Sequence, residues 1–192
     1  MLKDMKKEIL GSWILLIMFI IASILRKNWE FLFYAASLII LLILVTLSDK
    51  KFNYPKIALY GLSSWLLLHL LGGMAKIGTT RLYDFMLINL IGEPYQILKY
   101  DQFVHFYCYF VAAFFVYSII KSFSKKDSSF TVLAFITVIA SIGIGGINEI
   151  IEFAAVVIVN SNGVGGYYNT AIDLVANTLG ALAALPFLKK TE

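Results

Sequence analysis

Charge is scarce in this chain: Asp, Glu, Lys and Arg make up 15% of its 192 residues, against roughly 25% in a soluble domain. That shortage excludes an ordinary water-facing surface all round. Cysteine is nearly absent too, and a lone Cys108 set in an apolar run rules out a disulfide framework within one chain and reads as a small buried hydrophobe. Histidine occurs twice, as His69 and His105. No HExxH or GxSxG is present, and the glycines Gly163, Gly165 and Gly166 lack the lysine that follows a phosphate-binding loop, so the common zincin, serine-hydrolase and P-loop signatures are missing. The first apolar run follows Lys3, Lys6 and Lys7 as a signal peptide would. No small-residue cleavage site comes after it, and Arg26-Lys27 leads straight into another apolar run, so it reads as a retained first span. Linkers, internal repeats and low-complexity tracts are also lacking.

What is there is apolar: 60% hydrophobic residues and a mean hydropathy of +0.82. A spanning helix needs roughly 20 mostly apolar residues, and six segments qualify: 9–25, 29–47, 56–74, 102–120, 130–159 and 168–188. The fold class expected is an all-α integral membrane protein, a six-transmembrane-helix bundle forming a single membrane domain over residues 1–192. The lipid bilayer is its expected partner, and no nucleic-acid partner is expected. The fifth segment is long, and its Ser141, Gly143, Gly145 and Gly146 are small residues that let helices approach closely. Segments 1 and 2 read as lipid-facing scaffold.

The net charge of +4 carries its information loop by loop. With the N-terminus inside, eleven basic residues fall on the cytoplasmic side and five (Arg26, Lys27, Lys76, Arg81, Lys99) outside. The positive-inside bias therefore predicts both termini cytoplasmic, in a plasma (inner) membrane. The longest connection, 75–101, mixes Leu, Ile, Phe and Tyr with Asp84, Asn89 and Glu93, which suits an interfacial segment between helices 3 and 4 lying along the outer surface.

Within the spans the ionisable residues stand out, because a charge near the bilayer centre costs about 2.5–3.5 kcal/mol on insertion scales. His69 falls about one turn from the outer end of helix 3, and Asp101 and His105 share a face at the start of helix 4. Glu149 and Glu152 lie two to three turns below the outer end of helix 5, about 60° apart around it. Asp173 follows in helix 6, on a stripe with Asn177 and Gly180. Four helices thus bring polar groups to one level, with four acids against two histidines. Protonated carboxyls, a bound cation, or Arg81 and Lys76 folding in from the loop would each relieve the imbalance. Each group also has a plainer reading. Glu149 and Glu152 serve as interhelical glue, Asp101 as a helix cap beside a hydrogen-bonded His105, His69 as a structural donor, and Asp173 and Asn177 as packing.

The segments "HLLGG", "YDQFVHF", "NEIIEF" and "GGYYNTAIDLVANTLGAL" together resemble the YjdF-like inner-membrane family, whose biochemical function is not established. The tail "DLVANTLGAL", with the Asp101-x-x-x-His105 opening, is also similar to VanZ-like proteins, associated with resistance to lipoglycopeptide antibiotics. The resemblance covers about residues 65–185 and implies a polar set of His69, Gly72, Asp101, His105, Glu149, Glu152 and Asp173. The chain departs from these patterns at Gly166 and Asn169, where the YjdF-like loop has acids, at Tyr168, where it has Trp, and at Glu152, where VanZ-like proteins usually have Gln.

Two function classes follow. In the first, His69, Asp101, His105, Glu149, Glu152 and Asp173 line an outward-facing pocket in helices 3–6 that binds a cation, a proton, or an envelope or lipid-headgroup ligand. In the second, a membrane enzyme acts on a lipid-linked substrate, with Asp101, His105, Glu149 and Glu152 as catalytic candidates. His105, Glu149, Glu152 and Asp173 would then hold a divalent metal such as Zn²⁺ or Mn²⁺. A structural or partner-binding envelope protein is the third reading, and the sequence leaves the oligomeric state open.

Overall fold

The structure, a computed structural model, describes residues 5–161 and 163–191; Lys3, counted above among the cytoplasmic charges, lies outside the described residues. Six helices long and apolar enough to cross a membrane are found among them. They are α1 (Lys7–Leu25), α2 (Trp29–Phe52), α3 (Lys56–Met74), α4 (Tyr100–Phe123), α5 (Phe130–Val159) and α6 (Tyr167–Leu188). α2 and α4 outrun the expected spans by several residues at the end bearing Lys50, Lys51 and Lys121. Apolarity marks where hydrocarbon ends, and the backbone ladder continues past it into polar residues that are good helix formers. At 30 residues, α5 is ~45 Å long, well beyond a hydrocarbon core of ~30 Å.

Local chemistry sets the helix ends. Asn28 caps α2 by accepting from the Phe31 N–H at 3.2 Å, and α2 stops at Asn53, which takes the left-handed conformation. α5 stops at Asn160 in the same way. Gln102 anchors the start of α4, its Oε1 accepting from the backbone N–H groups of Leu98 and Lys99.

The interfacial segment is not one continuous element. Gly78, at a positive φ, turns β1 (Lys76–Ile77) onto β2 (Thr80–Arg81), a 3-10 turn follows at Leu82–Asp84, and β3 (Met86–Ile91) pairs antiparallel with β4 (Ile97–Lys99). Two hairpins therefore sit at the end of the bundle shared by the α1–α2 and α5–α6 turns. Arg26 reaches the Met74 carbonyl there at 2.6 Å, and Arg81 the Gly163 carbonyl at 2.7 Å. At the opposite end Lys6 pairs with Asp49 at 2.8 Å.

Buried side chains fall into two clusters. Leu16, Phe19, Phe31, Leu42, Leu59 and Leu66 join α1, α2 and α3, while Ala58, Ala113, Phe114, Leu133, Ala184 and Leu188 join α3, α4, α5 and α6. Outward faces stay apolar, with Ile14, Ile17, Leu47, Phe135, Ile139 and Phe153 all more than half exposed, as lipid contact requires. The closest helix approach is α4 on α6, where Gly180 lies so near the Phe106 carbonyl that a Cβ would collide with it. That contact holds the middle of α6 against the second turn of α4, and a polar cavity forms towards the hairpin end. α2, by contrast, meets α4 and α5 only sparsely.

Candidate functional site

His105 is the centre of the polar cluster. One turn into α4 and 8% exposed, its ring has Nε2 at 3.7 Å from Asp101 Oδ1 and 3.6 Å from Glu152 Oε1. Its Nδ1 lies 3.1 Å from Asn177 Oδ1 and 3.7 Å from Glu149 Oε1. The i, i+4 spacing of Asp101 and His105 and the i, i+3 spacing of the two glutamates put these groups on facing stripes of α4 and α5. Asn177, set aside as packing in the sequence reading, is the group that orients the imidazole.

Further polar atoms surround this centre. Asn148 donates to Glu152 Oε1 at 2.7 Å. Asn169 Nδ2 donates to Asp101 Oδ2 at 3.1 Å and also to Asp173 Oδ2, so one amide bridges two acids. Asp173 is fully buried. Within 3.5 Å its Oδ1, both Glu149 oxygens and Asn177 Nδ2 have no hydrogen-bond partner among the described residues, while Asn148 and Thr170 make longer polar contacts to Glu149. Buried oxygens left unsatisfied are costly, ~1–3 kcal/mol each and more when charged.

His69 sits in a second setting beside the first. Its ring stacks with Phe19, Phe31 and Trp65 at centroid distances of 5.4–5.5 Å, and Nδ1 hydrogen-bonds the Tyr83 hydroxyl. Tyr83 can reach it because Gly72 has no side chain; a Cβ there would stand 2.7 Å from the tyrosine ring. Burial pushes the Tyr83 hydroxyl pKa well above its ordinary value, which keeps it a neutral phenol.

His69, Asp101, His105 and Glu152 line one cavity of about 60 Å³. Glu149 and Asp173 do not line it; they stand behind the imidazole and behind Asn169. The rest of the wall comes from outside α3–α6: Glu30 and Tyr34 of α2, and Arg81 and Tyr83 of the hairpin segment. The expectation that segment 2 is lipid-facing scaffold is therefore corrected, since its first two turns are part of the wall. Glu30 carried no distinguishing signal, because an acid in the first turn of a helix is ordinary. Tyr83 and Asn169 carried none either, being a tyrosine and an amide in loop-like sequence.

Arg81 folds in from the loop, whereas Lys76 stays exposed. Its guanidinium makes a two-bond pair with Asp84 at 3.0 and 3.3 Å and lies 3.9 Å from Glu30 Oε2. Burial works against that charge, but Asp84, Glu30 and Asp101 outweigh it and hold the Arg81 pKa above its ordinary value. Six carboxyls (Glu30, Asp84, Asp101, Glu149, Glu152, Asp173) thus stand around one guanidinium, two imidazoles and the Lys99 ammonium, whose field reaches Asp173.

The donor set suits a divalent ion in kind. His105, Glu149 and Glu152 can each offer one atom within 4.8 Å of the others, and so can Asp101, His105 and Asp173. Bonds of ~2.1 Å keep ligand atoms within about 4.2 Å of one another, so a small side-chain adjustment would close either triad.

No curated protein and no solved structure matches the chain. A family model does, over residues 8–191. It spans all six helices, the hairpins and every residue of the cavity wall, and the chain belongs to the family described as "Predicted membrane protein (DUF2238)".

Proposed function

We propose that this protein binds a small cation in an outward-facing pocket at the hairpin end of its bundle. The observation that carries the reading is the excess of buried carboxyls around one imidazole. Asp101, Glu149 and Glu152 all stand 3.6–3.7 Å from His105, with no hydrogen bond within 3.5 Å to either Glu149 oxygen among the described residues. Ionised together in a low-dielectric interior these groups repel, and an added positive charge removes that cost. Size narrows the ligand. About 60 Å³ holds a few waters, a metal ion or an ammonium group, at the ~10–15 Å³ of such space that one water needs. Aromatic rings of Phe31, Tyr34, Trp65 and Tyr83 complete the wall and favour a cation over an anion. Outward orientation rests on the eleven-to-five split of basic residues. A plasma-membrane location and the kinship with YjdF-like and VanZ-like proteins belong to the same proposal.

The two three-residue clusters favour a second reading, a divalent metal serving a membrane enzyme on a lipid-linked substrate. His105, Glu149 and Glu152 would hold the ion, which would supply Lewis-acid activation of a water, and Asn177 would fix the imidazole through Nδ1.

One experiment separates the two. Elemental analysis of the purified protein is paired with thermal unfolding in graded Zn²⁺, Mn²⁺ and ethylamine, for wild type and for the Glu149→Gln/Glu152→Gln variant. Under the cation reading at least one probe raises the wild-type midpoint saturably, by ~2.7 kcal/mol of stability at a hundredfold excess over Kd, and the variant loses the response. Near-stoichiometric metal that disappears in the variant favours the enzyme. A metal-free protein indifferent to all three probes sinks both.

A further inference from the structure

Among the described residues that line the polar cavity, Arg81 alone carries a charge that it cannot shed by gaining or losing a proton. Three elements pin it. Its own segment supplies Asp84, which takes two of its N–H groups at 3.0 and 3.3 Å. The α5–α6 turn supplies the Gly163 carbonyl at 2.7 Å, and α2 supplies Glu30, 3.9 Å away. Gly163 makes this convergence possible, since a Cβ there would collide with Arg81 Nη1 and stand 2.7 Å from Glu30 Oε2. Arg81 lines the cavity while keeping 21% of its side chain exposed, so it stands between the acids inside and the solvent at the hairpin end. From this placement we infer that Arg81 sets the charge selectivity of the pocket, admitting a singly charged cation such as a primary ammonium and holding out divalent ions.

The physical basis is how each energy scales with the charge of the ligand. Attraction to the pocket grows in proportion to that charge, whereas the Born cost of taking the ion out of water grows as its square. A divalent ion is therefore held only where the potential is deep. The carboxyls around His105 deepen it, and Arg81 makes it shallower. Its charge acts at the right range, because the Arg81 guanidinium and Asp101 feel each other's field, and Asp101 is one of the three carboxyls beside the imidazole. A clasp alone would not need the charge, since a neutral amide can donate to the Gly163 carbonyl and to Asp84. The other wall residues agree with the assignment. Rings of Phe31, Tyr34, Trp65 and Tyr83 suit an ammonium, while hard divalent ions demand a shell of oxygen ligands.

This inference rests on the cation reading, and the test tells their failures apart. Dissociation constants of ethylammonium and Mn²⁺ are measured on the full-length protein by thermal-unfolding titration, for wild type, Arg81→Gln and Arg81→Lys. Wild type should hold ethylammonium more tightly than Mn²⁺. Arg81→Gln should bind ethylammonium about threefold tighter and Mn²⁺ tighter by the square of that factor, about tenfold, because the repulsion removed acts once per ligand charge. Arg81→Lys keeps the charge but not the two-bond fork, and should match wild type within about twofold for both ions. A merely structural Arg81 moves both ions alike. Equal gains, no gain, weaker binding in Arg81→Gln, a Lys variant that behaves like the Gln one, or a wild type that prefers Mn²⁺ overturns the selectivity role and leaves the cation reading standing. No response to either ion in wild type or Arg81→Gln overturns both. Should Arg81→Gln fail to fold, Gly163→Ala decides, since its methyl pushes the guanidinium aside with every charge retained. Mn²⁺ affinity rising more than ethylammonium affinity supports the inference, and an equal or opposite change overturns it.

Discussion

At the residue scale the question is whether Glu149 and Glu152 are there for charge or for shape. Asn148 already satisfies Glu152 Oε1, and a Gln at 152 could accept the same bond, so packing alone would tolerate an amide. Asn148 and Thr170 also lie near Glu149, and a Gln there could accept from them in the same way. Both Gln substitutions should therefore leave the fold intact, since each keeps the shape and an acceptor oxygen at its position. They should also abolish complementation of a deletion strain. Thermal melts beside complementation check this: a Gln variant both stable and fully active returns the glutamates to scaffold. Of the residues around His105, the acids were legible in the sequence because a carboxyl in an apolar run is rare. Asn177 and Asn169 were not, because amides are common at helix starts and interfaces and nothing in their spacing points to an imidazole or to a pair of acids.

Among the elements, α4 and α6 form the frame that positions the imidazole, and Gly180 is its tightest point. Gly180→Ala places a methyl against the Phe106 carbonyl, which is backbone and cannot rotate away. The helices must then part, at a cost of ~1–3 kcal/mol. The expected outcome is a lower unfolding midpoint accompanied by loss of the His105–Asn177 bond, visible as a shifted imidazole resonance in NMR. An unchanged midpoint and resonance would show that the helices part freely there. The six spans were readable because each is a long apolar run, and all six helix starts fell within two residues of expectation, α1 and α4 by two and α6 by one. The hairpins were not readable. Their strands are two to six residues long, too short for alternation to stand out, and pairing is a contact between strands that no local pattern encodes.

For the whole molecule the untested element is direction. The bundle is the same object either way up; only the lysines distinguish its ends. Reporter fusions after Lys51, Lys125 and Lys190 should read cytoplasmic, and one after Gly163 external. A cytoplasmic signal at Gly163 would turn the polar cavity towards the cell interior, and its cation would then come from that side. The ring of acids around His105 bears on biogenesis as well. Chains enter the membrane N-terminal end first, so α4, carrying Asp101 and His105, is in place before α5 brings Glu149 and Glu152. Each later acid then meets an imidazole already waiting, and the order of the helices along the chain spares α5 a passage through lipid with two unmatched carboxyls. Asp173 arrives last, with Asn169 one turn ahead of it on its own helix, and so carries its own partner in.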